Sequence, residues 1–288
     1  MVRTGKIFKL CRVHNIIDYL SAIENGVNMI GIHAVYDSLE SYKKTEECYS
    51  PIDRSIMRTT DTLPISDYET NGIRHLIDKI DNNVQIVLVF EKLLDYPLIK
   101  QCIELYNLKS KDILLQFQFR IDHQIYLRLR KYCKYNLICV IGLNQLDFEE
   151  YFEKLNNYLD AKKDYILVDF SKHQPDYLTN SMDISSKPPL NTLKSRINIL
   201  KRNNIPLLIA DDTEISEMKE YVKLLTYNNI EIAGLDMQNA VELKKKEQYY
   251  RLKKTDRGQF VQIRVRKSQI KLKVWKDFAF ENFSLDEG

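Results

Sequence analysis

Short runs rich in β-branched residues alternate with longer amphipathic stretches along most of this chain, and that alternation constrains the fold more than any other feature. Eight runs read as strands: Ile7 to Cys11, Met29 to Ala34, Val84 to Phe90, Ile113 to Phe117, Leu137 to Ile141, Tyr165 to Phe170, Pro206 to Ala210 and Glu231 to Asp236. Asn15 is placed to cap a helix through Ile16, Ile17, Leu20 and Ile23, which share one face, and Gly26 is placed to end it. Further helical patterns fit Leu98 to Tyr106, His123 to Tyr135, Phe148 to Leu159, Leu190 to Asn203 and Ile215 to Leu225. A repeated order of strand then helix predicts the α/β class and a single closed (β/α)8 TIM barrel. At 288 residues and 44% hydrophobic, the chain is long enough to bury one such core.

Two segments interrupt the rhythm. Tyr42 to Asp81, inserted after strand two, is too long for a plain βα loop and reads as a lid ahead of a helix around Ile73 to Ile80. Ser171 to Pro189, with Pro175, Pro188 and Pro189, reads as a long loop directly after strand six. The barrel pattern ends near Glu242, which divides the chain into a barrel over 1–243 and a basic C-terminal extension over 244–288, packed on or beside it. Within that extension Gln259 to Trp275 alternates, with Phe260, Gln262, Arg264 and Arg266 followed by Ile270, Leu272 and Val274 across Ser268, and this predicts an added β-hairpin.

Composition excludes several functions. A formal charge of +3 asks for no polyanionic partner of the whole molecule. Lysines and arginines do cluster from Lys244 to Lys276 among Tyr249, Tyr250 and Trp275, but a solvated strand face gives the same pattern. The favoured reading is a hairpin used for homodimer contact or for closing the barrel bottom, not nucleic-acid binding. Five cysteines without zinc-type spacing, and no apolar signal segment, point to a reducing, cytoplasmic setting. No apolar stretch approaches the roughly 20 residues that span a bilayer, so no membrane partner is expected. With only 8 glycines the chain has no Gly-rich phosphate loop, and its histidines lack paired helical spacing, so neither cofactor nor metal is expected.

Barrel enzymes carry their chemistry where the strands end at the C-terminal rim. Cys11 on strand one and Asp169 on strand six fall there together. Taken alone, Cys11 is a small core residue, whereas Asp169, ending an apolar run, is a costly group to bury unpaired. His33 and Gln118 follow strands two and four. Asp211 and Asp212 end strand seven, with Asp236 and Gln238 at strand eight. The acidic group suits a metal, ligand hydroxyls or an amine, although capping of Thr213 to Leu225 is sufficient to explain Asp212.

The stretch Phe8-Lys9-Leu10-Cys11-Arg12-Val13, followed by a helix and Glu24-Asn25-Gly26-Val27-Asn28-Met29-Ile30-Gly31-Ile32, resembles the phosphoribosylanthranilate isomerase family, whose members begin with Lys-Ile-Cys-Gly-Ile. Leu115-Gln116-Phe117-Gln118 resembles the family's Val-Gln-Leu-His strand, and Tyr165-Ile166-Leu167-Val168-Asp169 its Ile-Leu-Leu-Asp strand. Gly234-Leu235-Asp236-Met237-Gln238-Asn239-Ala240-Val241-Glu242 resembles its Val-Asp-Val-Ser-Ser-Gly-Val-Glu end. The resemblance is collinear over most of 7–243. It implies an intramolecular oxidoreductase (isomerase) performing an Amadori rearrangement of a small-molecule aminosugar, with Cys11 as general base and Asp169 as general acid. A cysteine base needs a lowered pKa, for which Arg12 or Lys9 is placed to supply positive charge.

The departures concern the substrate. Asp211-Asp212 stands where the family has Gly-Gly, and Gln238-Asn239-Ala240 where it has Ser-Ser-Gly to hold phosphate. Two carboxylates would repel a dianion by several kcal/mol at ~4 Å and an effective dielectric of ~20. The family's arginine after strand two gives way to an acidic stretch around Asp37 and Glu40, for which Arg54 or Arg58 of the insertion is a substitute. The expectation is therefore retained acid/base chemistry on an altered substrate in specialised biosynthesis, with His33, Gln118, Asp211, Asp236, Gln238 and Arg58 binding it. The competing expectation is a non-catalytic barrel used for binding or scaffolding. A lyase using Lys172 is weaker still.

Overall fold

The computed structural model describes residues 6–13, 15–34, 76–90, 97, 99, 113–121, 123–132, 135–170, 189–210, 215–237, 239–241, 249–254, 260–265 and 267–283. Eight parallel strands close into a barrel in sequence order: β1 (Ile7–Leu10), β2 (Met29–Ala34), β3 (Gln85–Phe90), β4 (Ile113–Phe117), β5 (Asn136–Gly142), β6 (Tyr165–Asp169), β7 (Leu207–Ala210) and β8 (Ile232–Met237). All eight expected runs are strands, because each is mostly apolar on both faces, with inward polar residues confined to a few positions such as Lys9, Gln116 and Asp236, and so suits a parallel sheet covered outside by helices and filled inside. Among the described residues these helices include α1 (Ile16–Glu24), α2 (His123–Tyr132), α3 (Phe148–Tyr158), α4 (Pro189–Leu200), α5 (Ile215–Tyr227) and α6 (Gln269–Phe283), and residues 76–79 are helical as well. None is long and apolar enough to cross a membrane.

The local signals behave as their chemistry requires. The Asn15 side chain accepts from the backbone N–H of Ile17 and Asp18 at 3.0 and 2.9 Å, capping α1, and Gly26 at φ 76° ends it. Outward-facing strand residues such as Leu10, Ile30, Leu88, Leu115 and Ile166 join the helices in one core cluster. Inward residues such as Met29, Val87, Leu114, Ile138 and Leu167 form a second.

The C-terminal part needs correction. A hairpin is present, but it pairs β9 (Tyr249–Lys254) with β10 (Phe260–Val265), and the second half of the expected one is helix α6. Leu272, Trp275, Phe278 and Ala279 are the buried residues there, spaced three or four apart, while Ile270 and Val274 of the apparent alternation are 79% and 48% exposed. Alternation over three apolar residues imitated a strand; burial follows the helical period. Helix α6 packs between α1 and α5 and against β8. The Lys267 N–H donates to Asp18 Oδ1 at 3.0 Å and that of Ser268 to Val241 O at 2.9 Å, which fixes the start of α6 at the rim where α1 begins.

Strand tilt shifts the register by about one residue per strand, so inward side chains stack in layers drawn from alternate strands. The pairing places Lys9, Val87, Ile138 and Leu208 in one layer. Gly31, Gln116, Leu167 and Asp236 form the next layer towards the rim, and Cys11, Val89, Val140 and Ala210 the one above.

Candidate active site

Lys9 and Cys11 are two residues apart at the end of β1, so the two-residue period of a strand turns both into the barrel. Arg12, at φ 55° in the left-handed region, turns the chain out of the strand towards α1. The Cys11 N–H donates to Met237 O at 2.8 Å and the Val13 N–H to Gly31 O at 3.1 Å, pinning the turn on both sides.

Within the barrel Lys9 Nζ lies 2.7 Å from Cys11 Sγ and 2.5 Å from Asp236 Oδ2. Cys11 Sγ is itself 3.5 Å from that carboxylate oxygen. Lys9, Cys11 and Asp236 are 0%, 1% and 7% exposed, so three ionisable groups meet almost without water. Room for the sulfur comes from Gly31, where a Cβ would lie 2.7 Å from Sγ. Burial alone would strip Lys9 of its proton, but the attraction of Asp236 and then Cys11 outweighs it and holds the amine above its ordinary value. For Cys11, burial and then the charge of Asp236 push the thiol up to about 12 against the pull of Lys9. The expected positive field is thus present, but Asp236 neutralises it. At rest the cluster is an ammonium, a carboxylate and a thiol.

This arrangement has one route to a thiolate that conserves the buried charge. If the Cys11 proton passes to Asp236, the sulfur becomes an anion beside the Lys9 ammonium and the carboxylate becomes a neutral acid, so the net buried charge is unchanged. Losing the proton to water instead leaves an extra buried charge.

Asp169 ends β6 half-buried, in register between Gly142 and Ala210, and has the same parity as the inward Tyr165 and Leu167. That puts it one layer nearer the rim than Cys11, and its carbonyl accepts from the Leu143 N–H at 2.8 Å. His33 is in register with Val89 on β3. Gln118 follows β4 half-buried, its N–H donating to Phe90 O at 2.9 Å. Asp211, Gln238 and Arg58 lie outside the described residues, as do Asp37, Glu40, Arg54, Lys172 and Asp212. The structure brings Asp236, expected only to bind substrate, into direct contact with Cys11.

One inward polar residue was passed over. Gln116 is fully buried on β4, and neither its Nε2 nor its Oε1 has a hydrogen-bond partner; Asp236 Oδ1 likewise has none. The available signal was an amide inside an apolar run, two residues before Gln118 and therefore of the same parity. Among the described residues no group of three or more His, Cys, Asp or Glu is placed to hold a metal.

No family model and no curated protein sequence matches the chain. Solved structures do. N-(5'-phosphoribosyl)anthranilate isomerase from Pyrococcus furiosus superposes with a TM-score of 0.55 at 13% identity, over 96% of this chain and 99% of that one. Phosphoribosyl anthranilate isomerase from Thermococcus kodakaraensis gives 0.56 at 13% identity, again over 96% and 99%. The chain has the fold of the phosphoribosylanthranilate isomerases. A mutant tryptophan synthase alpha-subunit from Pyrococcus furiosus superposes with a TM-score of 0.50 at 9% identity over 99% and 100%. Proteins of different names share this barrel, so activity must be argued from the site.

Proposed function

We propose that this chain is an acid/base isomerase of the phosphoribosylanthranilate isomerase type, converting an aminoaldose to an aminoketose on an altered small-molecule substrate in specialised biosynthesis. The observation that carries this reading is the buried contact of Cys11 Sγ with both Lys9 Nζ and Asp236 Oδ2. Asp169, at the rim end of β6, donates a proton to the ring oxygen; the C1–O bond breaks as the nitrogen lone pair forms C=N, giving an open-chain iminium. The Cys11 thiolate, its own proton held by Asp236, removes the proton from C2. The C–H electrons form C1=C2, the C=N pair returns to nitrogen, and the enolamine tautomerises to the ketone. A cationic iminium beside the cluster favours the thiolate further, so the base is strongest when it is needed. The carboxylates Asp211 and Asp212, standing where the family places glycines, favour a substrate without the usual phosphate.

The test is turnover of phosphoribosylanthranilate and of its counterpart lacking the phosphate by the purified protein, with C11A and D169N beside the wild type. The expected result is faster turnover of the unphosphorylated compound and a loss of at least ~100-fold in kcat in either variant. Preference for the phosphorylated compound overturns the substrate argument. Unchanged turnover in both variants removes the mechanism.

A second reading, a non-catalytic binding or scaffolding barrel, is favoured by the 1% exposure of Cys11 and its raised pKa, both ordinary for an inert core thiol. Failure of every aminoaldose tested, with a cooperative fold intact, supports it.

A further inference from the structure

Two unsatisfied polar groups occupy the same layer of the barrel interior. Gln116 on β4 and Asp236 on β8 face one another across it, with Gly31 and Leu167 as the other two members. Gly31 contributes no side chain, and the space it leaves is taken by Cys11 Sγ. Asp236 satisfies Oδ2 with Lys9 and Cys11, while Oδ1 and both ends of the Gln116 amide are unpartnered. A buried polar atom without a partner is costly, and three in one layer of an otherwise apolar core call for a common explanation.

An amide matches a carboxyl in both protonation states, since it carries a donor and an acceptor. A second carboxylate would fit one state better than the other. We propose that Gln116 is a positioning residue for the Lys9, Cys11 and Asp236 cluster: reorientation of its side chain across the layer lets Nε2 donate to Asp236 Oδ1 while the sulfur keeps its proton, and Oε1 accept from Asp236 once the proton has moved there. Gln116 touches no substrate in this scheme; it holds Asp236 through the proton exchange. The inference rests on the acid/base reading of the cluster, but the contact it predicts exists without substrate.

The test is spectroscopic and uses the full chain. Gln116→Met keeps shape and burial while removing both polar atoms. The Gln116 side-chain N–H pair, identified by its loss from the nitrogen–proton spectrum of Q116M, is expected to shift and exchange faster in Asp236→Asn. The infrared S–H band of Cys11, identified by its loss in C11A, is expected to move to lower wavenumber in Q116M, because a carboxylate no longer sharing its charge with the amide accepts more strongly from the thiol. The second measurement needs only the mild substitution, so it decides the matter even if D236N does not fold. An unmoved S–H band in Q116M overturns the proposal, as do unmoved Gln116 resonances in folded D236N; a merely stranded core amide would instead leave the band in place and raise the melting temperature on replacement by Met. If turnover fails everywhere while the band moves, the catalytic reading falls and the polar network stands. If turnover depends on Cys11 while the band is still, the reverse holds.

Discussion

Lys9 Nζ sits 2.5 Å from Asp236 Oδ2, joining the first and last strands of the barrel through its interior, with side-chain exposures of 0% and 6%. An ion pair so removed from water is held by mutual compensation, and breaking it costs more than forming it gained. Asp236→Ala is expected to destabilise the fold by about 3–5 kcal/mol by stranding the Lys9 charge. Replacing both residues by apolar ones, Lys9→Met with Asp236→Leu, is expected to recover most of that loss. Urea denaturation of the three proteins checks the ordering, and a double variant no better than the single one would refute it.

Alkaline pH should weaken the fold through its buried thiols. Cys11 rises from 9.0 in the unfolded chain to about 12 when folded, and Cys139 is raised as well by its burial. Between these values the folded state holds protons that the unfolded state has released, so stability is full below about pH 9 and falls as pH rises towards the folded values. Each such group contributes a slope of about 1.4 kcal/mol per pH unit. Lys9, raised above 10.5, adds to the loss only at still higher pH. Denaturant midpoints measured from pH 8 to 10.5 should decline, and Cys11→Ala should make the decline shallower by about one proton's worth.

Gly31 is required by Cys11. A Cβ at position 31 would lie 2.7 Å from Sγ and 3.2 Å from Cys11 Cα. Gly31→Ala is expected to cost about 1–3 kcal/mol by overpacking. In a Cys11→Ala background part of that cost should vanish, because the sulfur has gone and only the backbone approach is left. A thermal double-mutant cycle reads the coupling; strict additivity would show that the sulfur does not fill this gap. At Gly234 a Cβ would overlap the Ile7 carbonyl, so no second-site relief is expected there.

The last helix should be indispensable and the hairpin before it dispensable for folding. Leu272, Trp275, Phe278 and Ala279 of α6 belong to the main core cluster, and Trp275 and Phe278 meet edge to face at 5.6 Å. Trp275→Ala is expected to cost about 3–5 kcal/mol, and a chain ending at 243 to lose cooperative unfolding. A chain lacking 249–265, with a short linker in its place, should melt cooperatively. Circular dichroism melts distinguish the cases, and a stable truncation at 243 would show that α6 is an accessory.

The sequence by itself determined the eight strands, their order, the caps of α1 and the rim positions of Cys11 and Asp169, because each of these follows from local periodicity, turn chemistry or collinear motif. It misread α6, since three apolar residues spaced by two satisfy both a strand and part of a helix until something decides which of them is covered. It took Asp236 for a substrate ligand and passed over Gln116. Only the closed barrel decided those points: Lys9 and Asp236 are 227 residues apart along the chain, and strand eight must return to strand one before a charge, a thiol and a carboxylate can share a space without water.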